Sequence, residues 1–342
     1  MSHKKGNREI AERNMANDRK SVWFRLMLQL LLMLPWALSY RLPPSSTPHQ
    51  KPIGMVSNLL KDFNSKLLME NAERLGAAEQ RILYGEGRDV KVLTPISLDI
   101  ANQKRLSDGS LFSSSLLLRD GVISLKQVIP PELCDKISLY INDSKEKNEK
   151  LVADGKIVYD EYFGAVNNRR NRADMFLPMA EGCIETGITT AMKSMKQFLS
   201  ELPGMTSNGI LHELSSLIAD QDAPAQCTHC DTPWLQGIEP LYTFFIALQD
   251  VEDSMGHTTF LPKTHVESAH KIFNGTPKSK ENLLKVTPVA RSSLKKGDVV
   301  IFDSRILHCG GANSSSKRRI LFYFTLTTNK TTKEADPWNP SR

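Results

Sequence analysis

Two side chains that commonly bind metals lie close together in a short run near the middle of the chain, residues 226–231. His229 and Asp231 are two residues apart, and residues i and i+2 of an extended strand project from the same face. An imidazole and a carboxylate in this arrangement can bind one metal ion. We therefore predict that His229 and Asp231 are two ligands of a metal centre.

A third ligand is predicted at His308. A turn at Gly297 and Asp298 is followed by an apolar run over 299–302 that is typical of a buried strand, and the chain then reaches His308. Two imidazoles and one carboxylate on one face of Fe(II) leave coordination positions open for a co-substrate and dioxygen, which predicts catalysis. Four further histidines lack such a context and are predicted to be hydrogen-bonded or solvent-exposed: His212, His257, His265 and His270.

Arg319 begins a strand-like run that ends at Leu326. A guanidinium group binds a carboxylate through two parallel hydrogen bonds. Arg319 is therefore predicted to anchor the distal carboxylate of 2-oxoglutarate, a co-substrate that chelates iron. Lys317 and Arg318 are neighbouring candidates, because alternation places Arg318 and Arg319 on opposite faces without showing which face is inward.

Three arginines, Arg169, Arg170 and Arg172, lie in a polar loop ahead of Asp174. Such a cluster is usually part of a solvated loop. The alternative is a clamp for an acidic group of the substrate, since guanidinium groups bind carboxylate or phosphate. The sequence leaves both interpretations open.

Cysteines beside the predicted ligands raise a competing interpretation. Cys227 and Cys230 could bind a structural zinc ion, which would make the protein a zinc-binding or non-catalytic binding module. Against this, alternation directs Cys230 away from His229 and Asp231, and the chain has one Cys-x-x-Cys motif. In an oxidising compartment the two thiols could instead form a disulfide. Five cysteines are too few, and odd in number, for a disulfide framework.

The elements that would position these residues change character along the chain. Apolar residues at helical spacing predict a helix over about 55–82, and prolines at 130 and 131 begin another helix that runs to about Asn142. Residues 187–199 also have a helical pattern. The run 121–129 is strand-like, and residues from 211 onward form short runs between turns, which predicts that the second half is mostly strands.

From these patterns we divide the chain into four parts. They are a targeting segment (1–40), a linker with a helical extension (41–120), the main domain (121–328) and a C-terminal tail (329–342).

The net charge of +6 is unevenly distributed. Residues 1–25 hold seven Lys and Arg against three acidic residues, so the rest of the chain carries a net charge of only +2. That balance is too even for the basic surface that binds nucleic acid. We predict no nucleic-acid partner.

The segment 22–40 predicts targeting. Its apolar core of about ten residues is short for a bilayer span of about 20 and falls within the range of about 7–15 that signal peptides have. It predicts entry into the secretory pathway, with the chain in the lumen of the endoplasmic reticulum or Golgi, either cleaved or tethered to the membrane through residues 22–40. The acid-poor stretch that follows also fits a plastid reached by this route. Four glycosylation sequons are present: Asn142, Asn274, Asn313 and Asn329.

From Gly121 to Leu326, about 60% of the chain, the sequence resembles the phytanoyl-CoA dioxygenase family of Fe(II)- and 2-oxoglutarate-dependent oxygenases. The resemblance is carried by the following motifs: His229-Cys-Asp231, the stretch 256–265, Gly297-Asp298, the stretch 308–313, and Arg319. It implies a mainly β fold with flanking helices, whose core is a double-stranded β-helix of the jelly-roll, cupin-like type. It also implies that Fe(II) binds at His229, Asp231 and His308, and 2-oxoglutarate at Arg319.

The resemblance further implies a reaction class. Related halogenases have a small residue at the position of Asp231, so a carboxylate there favours hydroxylation. The expected reaction hydroxylates a small-molecule or lipid-like substrate and releases succinate and CO2, with ascorbate as a supporting reductant. Lys263 and Thr264 depart from the family's Gly-Ser at this stretch, which affects the substrate more than the metal. The sequence specifies neither the substrate nor the oligomeric state.

Overall fold

The computed structural model of the chain describes residues 54–167, 169–203, 205 and 210–327. The helices over this part are α1 Gly54–Leu83, α2 Leu98–Gln103, α3 Phe112–Asp120, α4 Pro131–Ala153, α5 Tyr159–Tyr162, α6 Gly182–Ser194, α7 Lys196–Ser200, α8 Glu267–Phe273 and α9 Pro277–Val286. The strands are β1 Val90–Leu93, β2 Val122–Leu125, β3 Arg172–Phe176, β4 Ile210–Ala219, β5 Tyr242–Ala247, β6 Thr258–Phe260, β7 Val289–Ser292, β8 Val299–Asp303, β9 His308–Gly310 and β10 Arg319–Thr327.

The strands form two sheets. The major sheet has six strands in the order β2-β8-β5-β10-β4-β3, and the minor sheet has four in the order β1-β7-β6-β9. Neighbouring strands are antiparallel except for β1 and β7, which are parallel. This arrangement confirms the predicted double-stranded β-helix with flanking helices.

The interior of the barrel lies between the two sheets and is lined by one face of each. Phe260 of the minor sheet contacts Phe302 of the major sheet, with ring centroids 5.1 Å apart. Leu321 and Tyr323 of β10 belong to the same buried cluster. Because side chains alternate along a strand, Arg319 shares their face and also points inward.

The outer face of the major sheet is covered by helices. Phe322 and Phe324 of β10 pack in a second buried cluster with Leu117 of α3, Ile137 of α4 and Ile188 of α6. The inner face of β10 thus points toward the candidate site between the two sheets. Its outer face packs against the helices, where most of the apolar core lies. Burial of apolar surface on the outer face is what fixes the register of β10, since a shift of one residue would exchange the two faces.

The segment ahead of the main barrel packs closely on it. The predicted helix over 55–82 is confirmed as α1. Leu83 at its end is fully buried with Leu261 and Cys309 of the minor-sheet side, and β1 adds a strand to that sheet. The division at residue 121 stays a prediction, but the described residues before it do not form a free linker.

Two helices differ from their predicted lengths. The helix predicted to end near Asn142 continues to Ala153, because Lys145 is buried in ion pairs with Glu149 and Asp220 instead of facing solvent. The helix predicted over 187–199 is two shorter helices, α6 and α7, which meet at Met195. Met195, at the junction of α6 and α7, is fully buried.

No helix in the described part of the chain has the length and apolar character that crossing a bilayer requires. The predicted targeting segment (1–40) and the tail (329–342) lie outside the described residues. Of the four sequons, Asn313 is fully buried, and its side-chain amide donates to the Ala219 and Lys317 carbonyls. That side chain therefore cannot carry a glycan in the folded protein.

Candidate active site

The structure brings the three predicted ligands together. His229 and His308 exchange two backbone hydrogen bonds of 2.9 and 2.8 Å, which add residue 229 to the edge of the minor sheet beside β9. Asp231 Oδ1 lies 3.8 Å from His229 Nε2 and 3.5 Å from His308 Nε2. Within the described ranges, these residues form the one group of three or more His, Cys, Asp or Glu ligand atoms close enough to share an ion.

Backbone carbonyls set the tautomer of both imidazoles. His229 Nδ1 lies 2.8 Å from the Cys227 carbonyl oxygen, and His308 Nδ1 lies 3.1 Å from that of Ile306. A carbonyl only accepts, so each Nδ1 carries the proton and each Nε2 presents a lone pair beside Asp231. Burial lowers the pKa of both histidines to about 4, so both rings are neutral at pH 7, as metal ligation requires.

Asp231 supplies the negative charge of the group. Its backbone N–H donates to the Ser304 carbonyl at 2.9 Å, which fixes the position of the residue on the loop after His229. Burial raises the pKa of Asp231 to about 6, and the neighbouring His229 lowers it in part. A divalent cation between the three side chains would stabilise the carboxylate. The donor set therefore fits a metal such as Fe(II).

Arg319 provides the second half of the site. The residue is 1% exposed, and none of its three guanidinium nitrogens has a hydrogen-bond partner among the described residues. Burial lowers its pKa to about 10, so it stays charged at pH 7. A buried charge without a partner is strongly unfavourable, and a carboxylate is the group that best matches the guanidinium fork. This orphaned guanidinium fits the distal carboxylate of 2-oxoglutarate.

Gly310 connects the two halves of the site. It lies two residues beyond His308, and a Cβ at this position would be 2.5 Å from Gln226 Oε1 and 3.6 Å from Arg319 Nη2. Gln226 Oε1 accepts the Gly310 N–H at 2.9 Å. The absence of a side chain at Gly310 therefore lets β9, Arg319 and the loop 226–231, called the ligand loop below, approach one another.

The basic neighbours of Arg319 point elsewhere. Lys317 forms an ion pair with Glu252 at the surface, and Arg318 pairs with Asp220. Both are therefore excluded as interior anchors. The question that alternation alone left open is answered by the packing of β10, which directs Arg319 inward.

The arginine loop does not form a clamp. Arg170 pairs with Glu73 at 2.9 Å, and Arg169 lies over the Tyr159 ring. Arg172 is buried and donates from Nη1 to the Pro224 carbonyl at 2.8 Å and from Nη2 to that of Gly311 at 3.2 Å. The three guanidinium groups diverge, so the expectation of an acidic substrate group, which depended on this loop, has no support in the described geometry.

The other histidines have the structural roles that were predicted. His265 and His270 lie within hydrogen-bond distance of the Leu118 and Arg305 carbonyls. His257 pairs with Asp253, and His212 is solvent-exposed.

The cysteines do not join the ligand group. All five are free thiols, so no disulfide links Cys227 and Cys230. The Cys227 thiol lies 3.2 Å from the Ala72 carbonyl oxygen, and Cys230 packs against the buried cluster around Leu83. In the described part of the chain, the zinc-module alternative lacks the convergent thiols that it requires.

Sequence reasoning missed the part that α1 plays in the site. The Glu79 carboxylate is 3% exposed and accepts the Thr228 N–H at 2.6 Å, immediately before His229. It also pairs with Lys280 at 2.8 Å. One turn earlier, a Cβ at Gly76 would overlap the Ala225 carbonyl, so the helix touches the ligand loop directly. The residues in contact are about 150 positions apart in the sequence, so no local sequence pattern predicts that they meet.

Replacing Glu79 should weaken the metal centre. Glu79→Ala leaves the buried Thr228 N–H without an acceptor, which costs about 1–3 kcal/mol, and loosens the loop that carries His229. Residues that orient metal ligands through hydrogen bonds commonly contribute about tenfold or more to metal affinity. We therefore expect the Fe(II) affinity of Glu79→Ala to fall by about tenfold in a direct metal titration. Glu73→Ala is the matched control, because Glu73 lies on the same helix but pairs with Arg170. Equal affinities of the two variants would contradict this role.

The sequence of the main domain matches a known protein family. The family model of phytanoyl-CoA dioxygenase (PhyH) matches residues 117–321, more than half of the chain, so the chain belongs to this family. It is an oxygenase that depends on Fe(II) and 2-oxoglutarate. No protein in the curated set matches the chain.

Several solved structures resemble the chain at low identity. The carbocyclase SnoK from nogalamycin biosynthesis is 14% identical, with 68% of this chain and 86% of that chain covered and a TM-score of 0.47. EctD from S. alaskensis with bound Fe is also 14% identical, with 68% and 83% covered and a TM-score of 0.48. AviO1 from Streptomyces viridochromogenes Tue57 is 16% identical, with 63% and 93% covered and a TM-score of 0.46. The family assignment does not depend on these similarities.

Proposed function

We propose that the protein is a hydroxylase of a small molecule, with Fe(II) held by His229, Asp231 and His308 and the distal carboxylate of 2-oxoglutarate held by Arg319. One observation carries the proposal above all. The buried guanidinium of Arg319 has no partner among the described residues, and it belongs to the same barrel interior as three converging metal-ligand side chains. A site that held the metal alone would not account for the buried arginine.

The protein's own contribution is to position and enclose the reactants. Bound Fe(II) with 2-oxoglutarate would supply the oxidation, in which dioxygen is consumed, 2-oxoglutarate yields succinate and CO2, and one oxygen atom enters the substrate. His229 and His308 are held as neutral Nε2 donors by the carbonyls behind them. Phe260 and Phe302 pack beside His308, with ring centroids 5.8 and 5.0 Å from the imidazole, and give the site an apolar inner wall.

The presence of Asp231 supports hydroxylation in particular. The carboxylate occupies the ligand position that a small residue takes in related halogenases, so the residues present provide no place for halide. The family fold also supports other oxidative outcomes, since SnoK is described as a carbocyclase and SnoN as an epimerase. A product with one added oxygen atom is what separates hydroxylation from these outcomes.

Product mass tests the proposed reaction. The enzyme with Fe(II), 2-oxoglutarate and ascorbate should convert a component of a metabolite extract to a product that is heavier by one oxygen atom, in an amount matched by succinate. Under ¹⁸O₂ the product should carry the heavy isotope. A product that lacks the added oxygen, formed in step with succinate, would contradict hydroxylation but leave the oxygenase class intact.

We also propose that the chain enters the secretory pathway through residues 22–40, and the charge pattern of this segment is the support for that proposal. In a eukaryotic cell, lumenal protein should show a glycosidase-sensitive mass shift that Asn274→Gln diminishes, because Asn274 is an exposed sequon. Tagged protein in the cytosol without any shift would contradict this localisation. A tagged protein in plastids would favour the alternative route.

A further inference from the structure

A group of polar side chains inside the barrel has no role in the site described so far. Tyr323 Oη lies 3.0 and 2.9 Å from the two carboxylate oxygens of Asp174 and 2.8 Å from Glu213 Oε1. The residues come from β10, β3 and β4, which are adjacent in the major sheet. Tyr323 shares its strand face with Arg319 and packs against Phe245, so the group faces the barrel interior.

This group has too few hydrogen-bond donors. The phenol has one O–H and can donate once, yet three carboxylate oxygens lie within hydrogen-bond distance of it. None of the ion pairs among the described residues includes Asp174 or Glu213. Burial first, and then the repulsion between them, raise the pKa of Asp174, while burial raises that of Glu213. The Asp174 carboxyl is thus buried and the Glu213 carboxyl half-buried, and neither forms an ion pair with a described residue.

A second, separate observation indicates a missing ligand. The Ser215 hydroxyl is fully buried on β4, two residues after Glu213 and on the same face. It is near enough to Asp174 to lower the pKa of that carboxyl, but it is not in hydrogen-bonding geometry with any described group. Buried hydroxyl groups are normally paired, so this one is available to a bound molecule.

The group lies on the same inner face of the major sheet as Arg319. Arg319 and Arg172 both pair with Ala219 of β4, and Tyr323 and Asp174 follow them on the same faces of β10 and β3. A substrate held at the group would therefore lie in the barrel interior that also holds Arg319. An ammonium group offers three donors and one positive charge, which matches two carboxylates and a hydroxyl.

We propose that Asp174 and Glu213, with Tyr323 and Ser215, bind a protonated amine of the substrate and hold it in the barrel interior. This inference rests on the proposed function and names the class of its substrate. An acidic group would be repelled by the two carboxyl groups. A neutral hydroxyl would leave the carboxylates without a counter-charge.

Three probes of equal length test the proposal on the full enzyme loaded with Fe(II) and 2-oxoglutarate without oxygen. They are hexylamine, 1-hexanol and hexanoate, and their binding is measured by thermal shift at pH 7, where the amine is protonated. We expect hexylammonium to raise Tm at concentrations at which the other two have no comparable effect. Stabilisation by hexanol or hexanoate equal to that by the amine, or by none of the three, overturns the proposal.

Near-isosteric variants identify the binding groups. We expect Asp174→Asn and Glu213→Gln each to weaken hexylammonium binding by about tenfold, the scale of one charge-assisted hydrogen bond. The exposed controls Asp143→Asn and Glu185→Gln should bind like the wild type. If hexylamine bound to the metal directly, all four variants would bind it with equal affinity, and this result would overturn the proposal. If a variant fails to fold, the selectivity of the wild type among the three probes still decides.

The two proposals fail in different ways. Wild-type turnover of 2-oxoglutarate without any amine, together with no preference for hexylammonium, removes the amine site alone. Selective amine binding with no 2-oxoglutarate turnover removes the proposed function.

Discussion

Asp231→Ala is expected to abolish iron-dependent turnover without unfolding the protein. Loss of the one predicted anionic ligand leaves two neutral imidazoles. We expect Fe(II) affinity and succinate release to fall on the order of 100-fold or more, a larger effect than that of Glu79→Ala. The metal-free variant should unfold close to the temperature of the metal-free wild type, because the Asp231 side chain is 37% exposed and its removal leaves no cavity in the core. Metal titration, succinate release and thermal unfolding measure the three quantities.

The comparison of metal-free and metal-loaded protein makes this result specific. Iron should raise Tm in the wild type and in the exposed control Asp143→Ala, and should fail to do so in Asp231→Ala. An Asp231→Ala protein that binds iron and releases succinate like the wild type would show that the metal lies elsewhere.

Arg319→Ala should raise the requirement for 2-oxoglutarate far more than the requirement for iron. The substitution removes a buried guanidinium whose three nitrogens lack partners among the described residues, and with it the anchor for the distal carboxylate. Losing one partner of such a pair costs about 3–5 kcal/mol, so the KM for 2-oxoglutarate should rise on the order of 100-fold. The rate of succinate release is measured against the concentration of each component.

Two further variants separate charge from geometry at this position. Arg319→Lys should lie between Arg319→Ala and the wild type, because lysine keeps the charge but loses the planar fork. Arg318→Ala, next to it but paired with Asp220 on the outer side, should leave the 2-oxoglutarate requirement unchanged. Equal effects of Arg319→Ala on both requirements would contradict an anchoring role.

The convergence of His229, Asp231 and His308 could be predicted because its information is local. His229 and Asp231 share a face through the two-residue period of extended chain, and His308 follows a run whose apolar character indicates a buried strand. The observed bridge between His229 and His308 brings these two pieces together. The inward direction of Arg319 required one more fact, the packing of Phe322 and Phe324 on the outer face of β10.

The rest of the site depends on contacts between distant parts of the chain. Glu79 contacts the loop 226–231 from the helical extension ahead of the main domain, and this helix lies outside the matched family region of 117–321. The group of Asp174, Glu213 and Tyr323 exists only because β3, β4 and β10 are neighbours in the sheet. The arginine loop matches the solvated interpretation at Arg169 and Arg170, which are exposed, whereas Arg172 begins β3 and is buried, which the sequence did not show.

One measurement tests the central claim most directly: metal content and 2-oxoglutarate turnover determined on the same purified protein. The structure predicts that one Fe(II) binds per chain and that succinate and CO2 form from 2-oxoglutarate in equal amounts, even without added substrate. Replacing the iron with zinc should stop the formation of succinate and CO2. Stoichiometric zinc that survives Asp231→Ala, together with no succinate from the iron-loaded protein, would contradict the account.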